Sequence, residues 1–362
     1  MSIKGNIGEW SEIYTLLKVL SDENLYAGGE SLEKLKDVVY PVLKVLRTES
    51  TGEFEYSLNQ NVVFITSNGN KLLDLPVTEF AKKAQKTLKK ILENKKQKNT
   101  TFSIPEIESF MRQIHCKSLK ASSSQKTDIT IVIHDEKTNQ QPVLGFSIKS
   151  QLGNPSTLLN AGKATNFKYK VQGLSNTQIL EVNAIENPKK LLKRVSKIKE
   201  LGGTFEFERI INNVFSNNLI LIDSLLPKIV SEIVLNFYST NSSTLTDLVD
   251  ELEELNPIGF DKQNKHLFYT YKVKKMLTDI ALGLTPAKVW TGKYDATGGY
   301  LIVKDDGELL CYHLYNKNAF EDYLFSNTKL DTASTSRYDF GELYQESGNV
   351  YFNLNFQIRF LR

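Results

Sequence analysis

The chain has 362 residues, 40% of them hydrophobic, and a formal net charge of +3. That is enough apolar material for a substantial core and enough length for about two domains, while so small a basic excess does not by itself point to nucleic acid. Cys116 and Cys311 stand far apart without zinc-like spacing, no apolar run approaches membrane-span length and no apolar signal core opens the chain, so a disulfide framework, a zinc ribbon and a membrane partner are excluded and a cytoplasmic protein is expected.

The first helix is expected over 8–20, where Ile13, Leu16, Leu17 and Leu20 make an apolar stripe. In the preceding run Lys4-Gly5-Asn6-Ile7-Gly8-Glu9-Trp10-Ser11-Glu12, the helical wheel sets Glu9 at the edge of that stripe and turns Glu12 further toward solvent. Glu9 is therefore the inward-facing carboxylate, and its competing reading is a side chain favoured at a helix amino terminus by the macrodipole. Helices are also expected over 31–47, 77–97 and 104–115, with extended segments around 53–66. The helix over 77–97 carries Lys82, Lys83, Lys86, Lys89, Lys90, Lys95 and Lys96, with Lys98 just beyond. A second lysine-rich helix, from Asn187 to Glu200, carries Lys189, Lys190, Lys193, Arg194, Lys197 and Lys199. Either can contact phosphates or form a solvated face.

Between Thr127 and Gln151 lies a hairpin pattern. Ile129, Ile131 and Ile133 alternate on one strand face; Leu144, Phe146 and Ile148 do so on the next strand, leaving Ser147 and Lys149 together on the opposite side. The turn-rich connection Asp135–Pro142, if symmetric, sets Asp128 directly across from Lys149, and a slip of one residue would move the lysine to the wrong face. Lys149 taken alone reads as well as a snorkelling lysine at a strand end. A strand over 166–171 follows, then helices near 187–200, 224–238, 244–255 and 266–282, then strands near 299–304, 308–315 and 350–360 in a stretch rich in Tyr, Phe, Gly and Asn. Thr332-Ala333-Ser334-Thr335-Ser336-Arg337-Tyr338 is a polar loop whose arginine fork matches O6 and N7 of guanine. Its alternative is a hydroxyl-capped surface turn with Arg337 in an exposed ion pair.

A carboxylate and a lysine on neighbouring strand ends resemble the PD-(D/E)xK nuclease core, with Asp128 and Lys149 matching and Ser147 standing where a second carboxylate is usual. The Lys4-Gly5 opening with Glu9 resembles the first helix of archaeal Holliday-junction resolvases, whose early glutamate serves the metal site. The run Gly145–Gly153, continuing through Thr157–Ala161 to Thr165–Phe167, is similar to the catalytic segment of HpaII-type restriction endonucleases. Both ends agree with that family as well: Met1–Asn6 with Gly8–Glu12, and Ser334–Gly341 with Leu354–Phe360.

The resemblance, which covers essentially the whole chain, implies an α/β fold with a PD-(D/E)xK restriction-endonuclease-like core, a central mixed sheet flanked by helices, and additional helical and β-rich DNA-recognition regions. On that basis residues 1–200 form the nuclease core, 201–285 a helical region and 286–362 a β-rich recognition region. The implied activity is type II restriction of unmethylated duplex DNA at a short palindrome, CCGG, leaving 5′-phosphate and 3′-hydroxyl ends. Mg2+ would be held by Asp128, Glu9 and the backbone carbonyl near Ile148, with Asp128, Lys149, Glu9 and Ser147 as the catalytic set. Ser334, Thr335, Ser336, Arg337 and Tyr338 would read bases, while Gln151, Asn160, Lys163, Thr165 and Asn166 would grip DNA. A homodimer matched to the palindrome and a companion methyltransferase are expected partners. The competing readings are a repair or junction-resolving nuclease of the same superfamily and a non-catalytic DNA-binding protein on a decayed nuclease fold.

Overall fold

Asn6 and Glu9 form a reciprocal cap, Asn6 Oδ1 accepting from Glu9 N at 3.0 Å and Glu9 Oε2 accepting from Asn6 N at 2.8 Å, which fixes the start of α1 (Ile7–Asp22) in the computed structural model. The structure describes residues 2–121, 127–136, 139–186 and 188–362. Met1, Lys137, Thr138 and Asn187, on which parts of the expected termini, hairpin connection and second lysine-rich helix fall, lie outside the described residues. Chain contacts divide it into two units: Met1–Ser156 with Tyr294–Tyr323 and Arg362, and Thr157–Lys293 with Leu324–Leu361. The segment 286–362 thus contributes to both.

The first unit is built on nine strands. They are β1 (Asn24–Gly28), β2 (Lys34–Glu49), β3 (Gly52–Asn59), β4 (Val62–Ser67), β5 (Asn70–Pro76), β6 (Ile129–Ile133) and β7 (Val143–Ser150). After β8 (Thr157–Leu159), β9 (Asn166–Gln172) and β10 (Thr204–Ile210) of the second unit, the chain returns to add β11 (Gly299–Val303) and β12 (Leu309–His313). The sheet order is β1-β12-β11-β7-β6-β2-β3-β4-β5, with β11 parallel to β7 and β1 parallel to β12 in an otherwise antiparallel ladder. One face packs on α1, whose Trp10, Ile13, Leu17 and Leu20 share a core with Ile131, Phe146, Leu301 and Val303. Trp10 Nε1 donates to Phe102 O at 3.0 Å, so the polar edge of the largest buried ring is satisfied. Gly299 opens β11 at φ +104°, and a Cβ there would fall 2.1 Å from Tyr312 O; only glycine admits the close approach that starts this strand.

α2 (Val77–Lys96) and α3 (Pro105–Gln113) fall where the periodicity predicts them. The helix expected over 31–47 is instead the 16-residue β2. Its apolar residues tolerate either period, but the β-branched Val38, Val39, Val42 and Val45 favour an extended chain. Pairing with β1, β3 and β6 then satisfies the backbone on both sides of the strand.

In the second unit, α4 (Asn176–Asn183), α5 (Lys190–Glu200), α6 (Asn213–Ile222), α7 (Leu226–Phe237), α8 (Leu245–Leu255) and α9 (Phe268–Leu282) accompany two antiparallel sheets. With β13 (Thr328–Leu330), β14 (Leu343–Glu346), β15 (Asn349–Asn355) and β16 (Ile358–Phe360), their orders are β10-β9-β15-β14 and β13-β16-β8. Arg194 on α5 is fully buried and donates to the carbonyls of Asn183, Ile185 and Gly341 while pairing with Glu186 and Glu342. As a possible phosphate contact it is corrected to an internal strut, since its donors are already used by the protein.

Candidate active site

The hairpin places its polar residues with one change of register. Ile129 pairs with Phe146 and Ile131 with Leu144, and continuing the ladder sets Asp128 opposite Ser147, two residues short of the expected Lys149. A slip of two conserves the side on which side chains project, so Asp128, Ser147 and Lys149 still share a sheet face. Asp128 Oδ2 accepts from Ile148 N at 2.7 Å and from Ser147 Oγ at 3.0 Å, which locks the carboxylate at the strand end. Ser147 is 5% exposed and its hydroxyl is spent on orienting Asp128.

Lys149 extends over the same face. Its Nζ stands 5.1 Å from the ring centroid of Tyr300, which lies beside Ser147 on the neighbouring parallel strand β11 and packs edge-on against Phe320. Burial pulls the Lys149 ammonium below the usual lysine range, while Asp128 and Glu12 pull it back up. Burial, then Asp128, raises the Tyr300 hydroxyl, which stays protonated. No short motif marks Tyr300 in the sequence, because its place follows from the return of β11 to the sheet more than a hundred residues after β7. Removing its ring face should lower the Lys149 pKa. In Tyr300→Leu we expect the alkaline limb of the rate–pH profile to move down by about 0.5–1.5 in pH, whereas Tyr300→Phe, which keeps the ring, should leave it in place.

The third charged group comes from α1. Glu12 interacts with Asp128, Lys149 and Glu9, and burial together with the neighbouring Asp128 carboxylate pushes its pKa from 4.5 up to about 8, against the lowering influence of Lys120 and Arg47. The wheel reading that turned Glu12 to solvent is corrected: Asp128 and Lys149, at the ends of the central strands β6 and β7, face that flank of the helix. Glu9 lines the same cleft, but its carboxylate caps Asn6 and pairs with Lys120 Nζ at 3.4 Å. The sequence did carry a signal for this, since Asn6-Ile7-Gly8-Glu9 has capping-box spacing.

The cleft measures about 840 Å³ and is lined by Glu9, Glu12, Asp128, Lys149, Lys95 and Lys98 among others. Among the described residues no group of three or more His, Cys, Asp or Glu side chains forms a ready-made metal cage. Two neighbouring carboxylates, Asp128 and Glu12, nevertheless fit a divalent cation such as Mg2+, which binds through one or two carboxylates and takes its other oxygens from water and phosphate.

The residues expected to grip or read DNA are placed as follows. Gln151 is half-buried in the first unit, its backbone N donating to Val303 O at 2.8 Å. In the second unit Asn160 and Lys163 are exposed, and Lys163 pairs with Asp339. Thr165 and Asn166 are buried: Thr165 Oγ1 donates to Gly162 O, Asn166 Nδ2 donates to Tyr338 O at 2.8 Å, and Asn355 Nδ2 donates to both side chains. They tie the 160s loop to the segment carrying Arg337, so as they stand their polar groups are used inside the protein. Ser334 precedes a one-turn helix, Thr335–Tyr338, on which Ser336 and Arg337 are exposed. The Arg337 side chain has no hydrogen bond or ion pair among the described residues, in contrast with Arg359, which pairs with Asp331 at 2.8 Å.

Comparison with known proteins completes the picture. The family model described as HpaII restriction endonuclease matches residues 6–360. The chain belongs to the HpaII restriction endonuclease family. Its members are type II, site-specific deoxyribonucleases, and the chain is 47% identical to the type II restriction enzyme HpaII of Haemophilus parainfluenzae over 359 residues, 99% of this chain and 98% of that protein. No solved structure matches it. Family members act on DNA and generally require a divalent metal, in keeping with a cleft that holds both carboxylates and cations. No helix among the described residues is long and apolar enough to cross a membrane.

Proposed function

We propose that this endonuclease cuts unmethylated duplex DNA at CCGG, the hydrolysis taking place in the cleft of Asp128, Glu12 and Lys149 on a PD-(D/E)xK-type core. The observation that carries the reading is the meeting of Asp128 and Lys149 on one sheet face with a half-buried carboxylate of α1, Glu12, set against them. Asp128 and Glu12 would hold Mg2+, with the backbone carbonyl near Ile148 within the same strand end. When bound, the ion supplies Lewis-acid polarisation of the scissile phosphate and lowers the pKa of a bound water.

The protein's own groups do the rest. The Ile148 amide and the Ser147 hydroxyl hold Asp128 in one orientation, so no reorganisation is needed as charge develops. Lys149, whose ammonium is favoured by Asp128 and the Tyr300 ring against the effect of burial, orients the attacking water and offsets negative charge on the phosphoryl oxygens. In-line attack then leaves a 5′-phosphate and a 3′-hydroxyl. Glu9, retained from the first reading as a possible ligand, competes with Glu12 from one turn earlier on the same helix.

Base recognition is assigned to the second unit, through Arg337 with Ser334, Thr335, Ser336 and Tyr338, while Asn160 and Lys163 meet the backbone. A palindrome is most simply read by a two-fold dimer, and a companion methyltransferase would protect the host site. Arg337→Ala should weaken binding to the cognate duplex in Ca2+ by about 1–3 kcal/mol and leave non-cognate binding nearly unchanged, measured by titration of labelled duplexes. The function itself is tested by incubating the protein with unmethylated and CCGG-methylated plasmid in Mg2+ and sequencing the ends. Discrete ends at CCGG only in the unmethylated plasmid are expected; intact DNA in both Mg2+ and Mn2+ would instead indicate a binding protein, and cutting only at branched substrates a junction nuclease.

A further inference from the structure

The two lysine-rich helices, indistinguishable in sequence, differ in how many of their charges are already neutralised. On α5, Lys190 pairs with Glu186, Lys197 with Glu181 and Glu200, Lys199 donates to Ser239 Oγ, and Arg194 is buried. On α2 the neutralisation is graded along the axis. Lys82 pairs with Glu79, Lys83 and Lys86 share Glu106, and Lys90 pairs with Glu93, so of the lysines before Glu93 only Lys89 stands outside an ion pair among the described residues, and it does not line the cleft. Beyond Glu93 the pattern stops. Lys95 and Lys98 are exposed, have no ion pair among the described residues, and line the cleft that holds Glu12, Asp128 and Lys149. Asn99 and Thr100 continue that wall with neutral hydrogen-bonding groups.

We infer that the carboxy-terminal end of α2, through Lys95 and Lys98, is a phosphate clamp for the strand being cut, seating DNA phosphates next to the scissile one. The inference rests on the assignment of the cleft as the active site. A cleft that holds the reacting groups must accept a polyanion, and Lys95 and Lys98 are the lysines of its lining, outside the reacting set, that no carboxylate has claimed; Lys120, the remaining lysine of the lining, is engaged by Glu9. A competing structural explanation is that lysines near a helix carboxy terminus complement its dipole, which would affect folding stability and not DNA affinity.

Binding in Ca2+ to a CCGG duplex and to a scrambled duplex, measured across a salt series, separates the two. For the double variant Lys95→Ala/Lys98→Ala the slope of log K against log salt should become shallower by about 1.8 on both duplexes, because each lost phosphate contact removes about 0.9. The control Lys82→Ala/Lys83→Ala, whose charges are already paired, should leave the slope as it is. An unchanged slope for the Lys95/Lys98 variant overturns the clamp, even if Asp128→Ala abolishes cleavage and so upholds the cleft as the active site. A shallower slope with Asp128→Ala still fully active overturns the placement of the clamp beside the scissile bond and the active-site assignment with it.

Discussion

Asp128→Ala is expected to lower the cleavage rate by at least about a thousandfold while leaving cognate binding in Ca2+ within a few-fold of the parent. In the proposed mechanism Asp128 serves the reacting centre and reads no base: its Oδ2 is held by Ile148 N and Ser147 Oγ of β7. Removing it takes away the carboxylate proposed to bind the metal and the neighbouring charge that opposes the effect of burial on Lys149. Lys149→Ala should fall by about 10²–10³ for the loss of charge stabilisation alone, again with binding retained. Ser147→Ala divides the roles further. If Ser147 only orients Asp128, its loss should cost about tenfold in single-turnover rate, with the substitution Ser147→Asp, which restores a carboxylate at that position, giving a different metal dependence. Normal cutting by Asp128→Ala would place the chemistry elsewhere in the molecule.

How much of this site the sequence discloses depends on the range of the interaction that builds each part. α1, α2, α3 and the hairpin strands are local: their periodicity, caps and turn residues lie within one element, and the structure places them within a few residues of where the pattern puts them. The hairpin register is less local. It was drawn about the centre of Asp135–Pro142, whereas the ladder ends with Val132 opposite Val143 and the connection is closed by a bridge between Asp135 and Gln140, which shifts the pairing by two. The catalytic face survived because two residues are one full period of a strand. β2 failed because a helical period was read into a strand whose extended state is stabilised by pairing, with its chain neighbours β1 and β3 and with β6 from much further along the chain. Tyr300 and Glu12 are long-range features too. A wheel gives the angle at which Glu12 leaves α1 but not that Asp128 and Lys149 wait at that angle, and no local pattern brings β11 beside β7.

Glu12→Gln against Glu9→Gln is the second decisive comparison. Both carboxylates line the cleft, yet Glu9 is occupied by Asn6 and Lys120 while Glu12 is pressed against Asp128. Glu12→Gln should therefore lose at least about 100-fold in cleavage and in metal affinity, and Glu9→Gln, which keeps an oxygen to accept from Asn6 N and loses only the Lys120 pair, should change stability by less than about 1 kcal/mol and leave cleavage within a few-fold. The pH dependence carries an independent signature. In the metal-free folded protein the Glu12 pKa of about 8 lies above its unfolded value near 4.5, so the folded state binds the extra proton between those limits. Its contribution to stability is fully present below about pH 4.5 and is lost as pH rises through about 8. Metal-free protein should thus lose thermal stability between about pH 4.5 and 8, and Glu12→Gln, which cannot ionise, should flatten that decline and melt roughly 2–4 °C higher at pH 8.5 for each kcal/mol recovered. A cation reverses the order, because it binds only the ionised carboxylate: near pH 7, Mg2+ binding should release about one proton in the parent and none in Glu12→Gln, as read by calorimetry in buffers of different ionisation enthalpy. Equal proton release in the two proteins would mean that Glu12 does not hold the metal, and the same measurement on Glu9→Gln would then show whether that residue does.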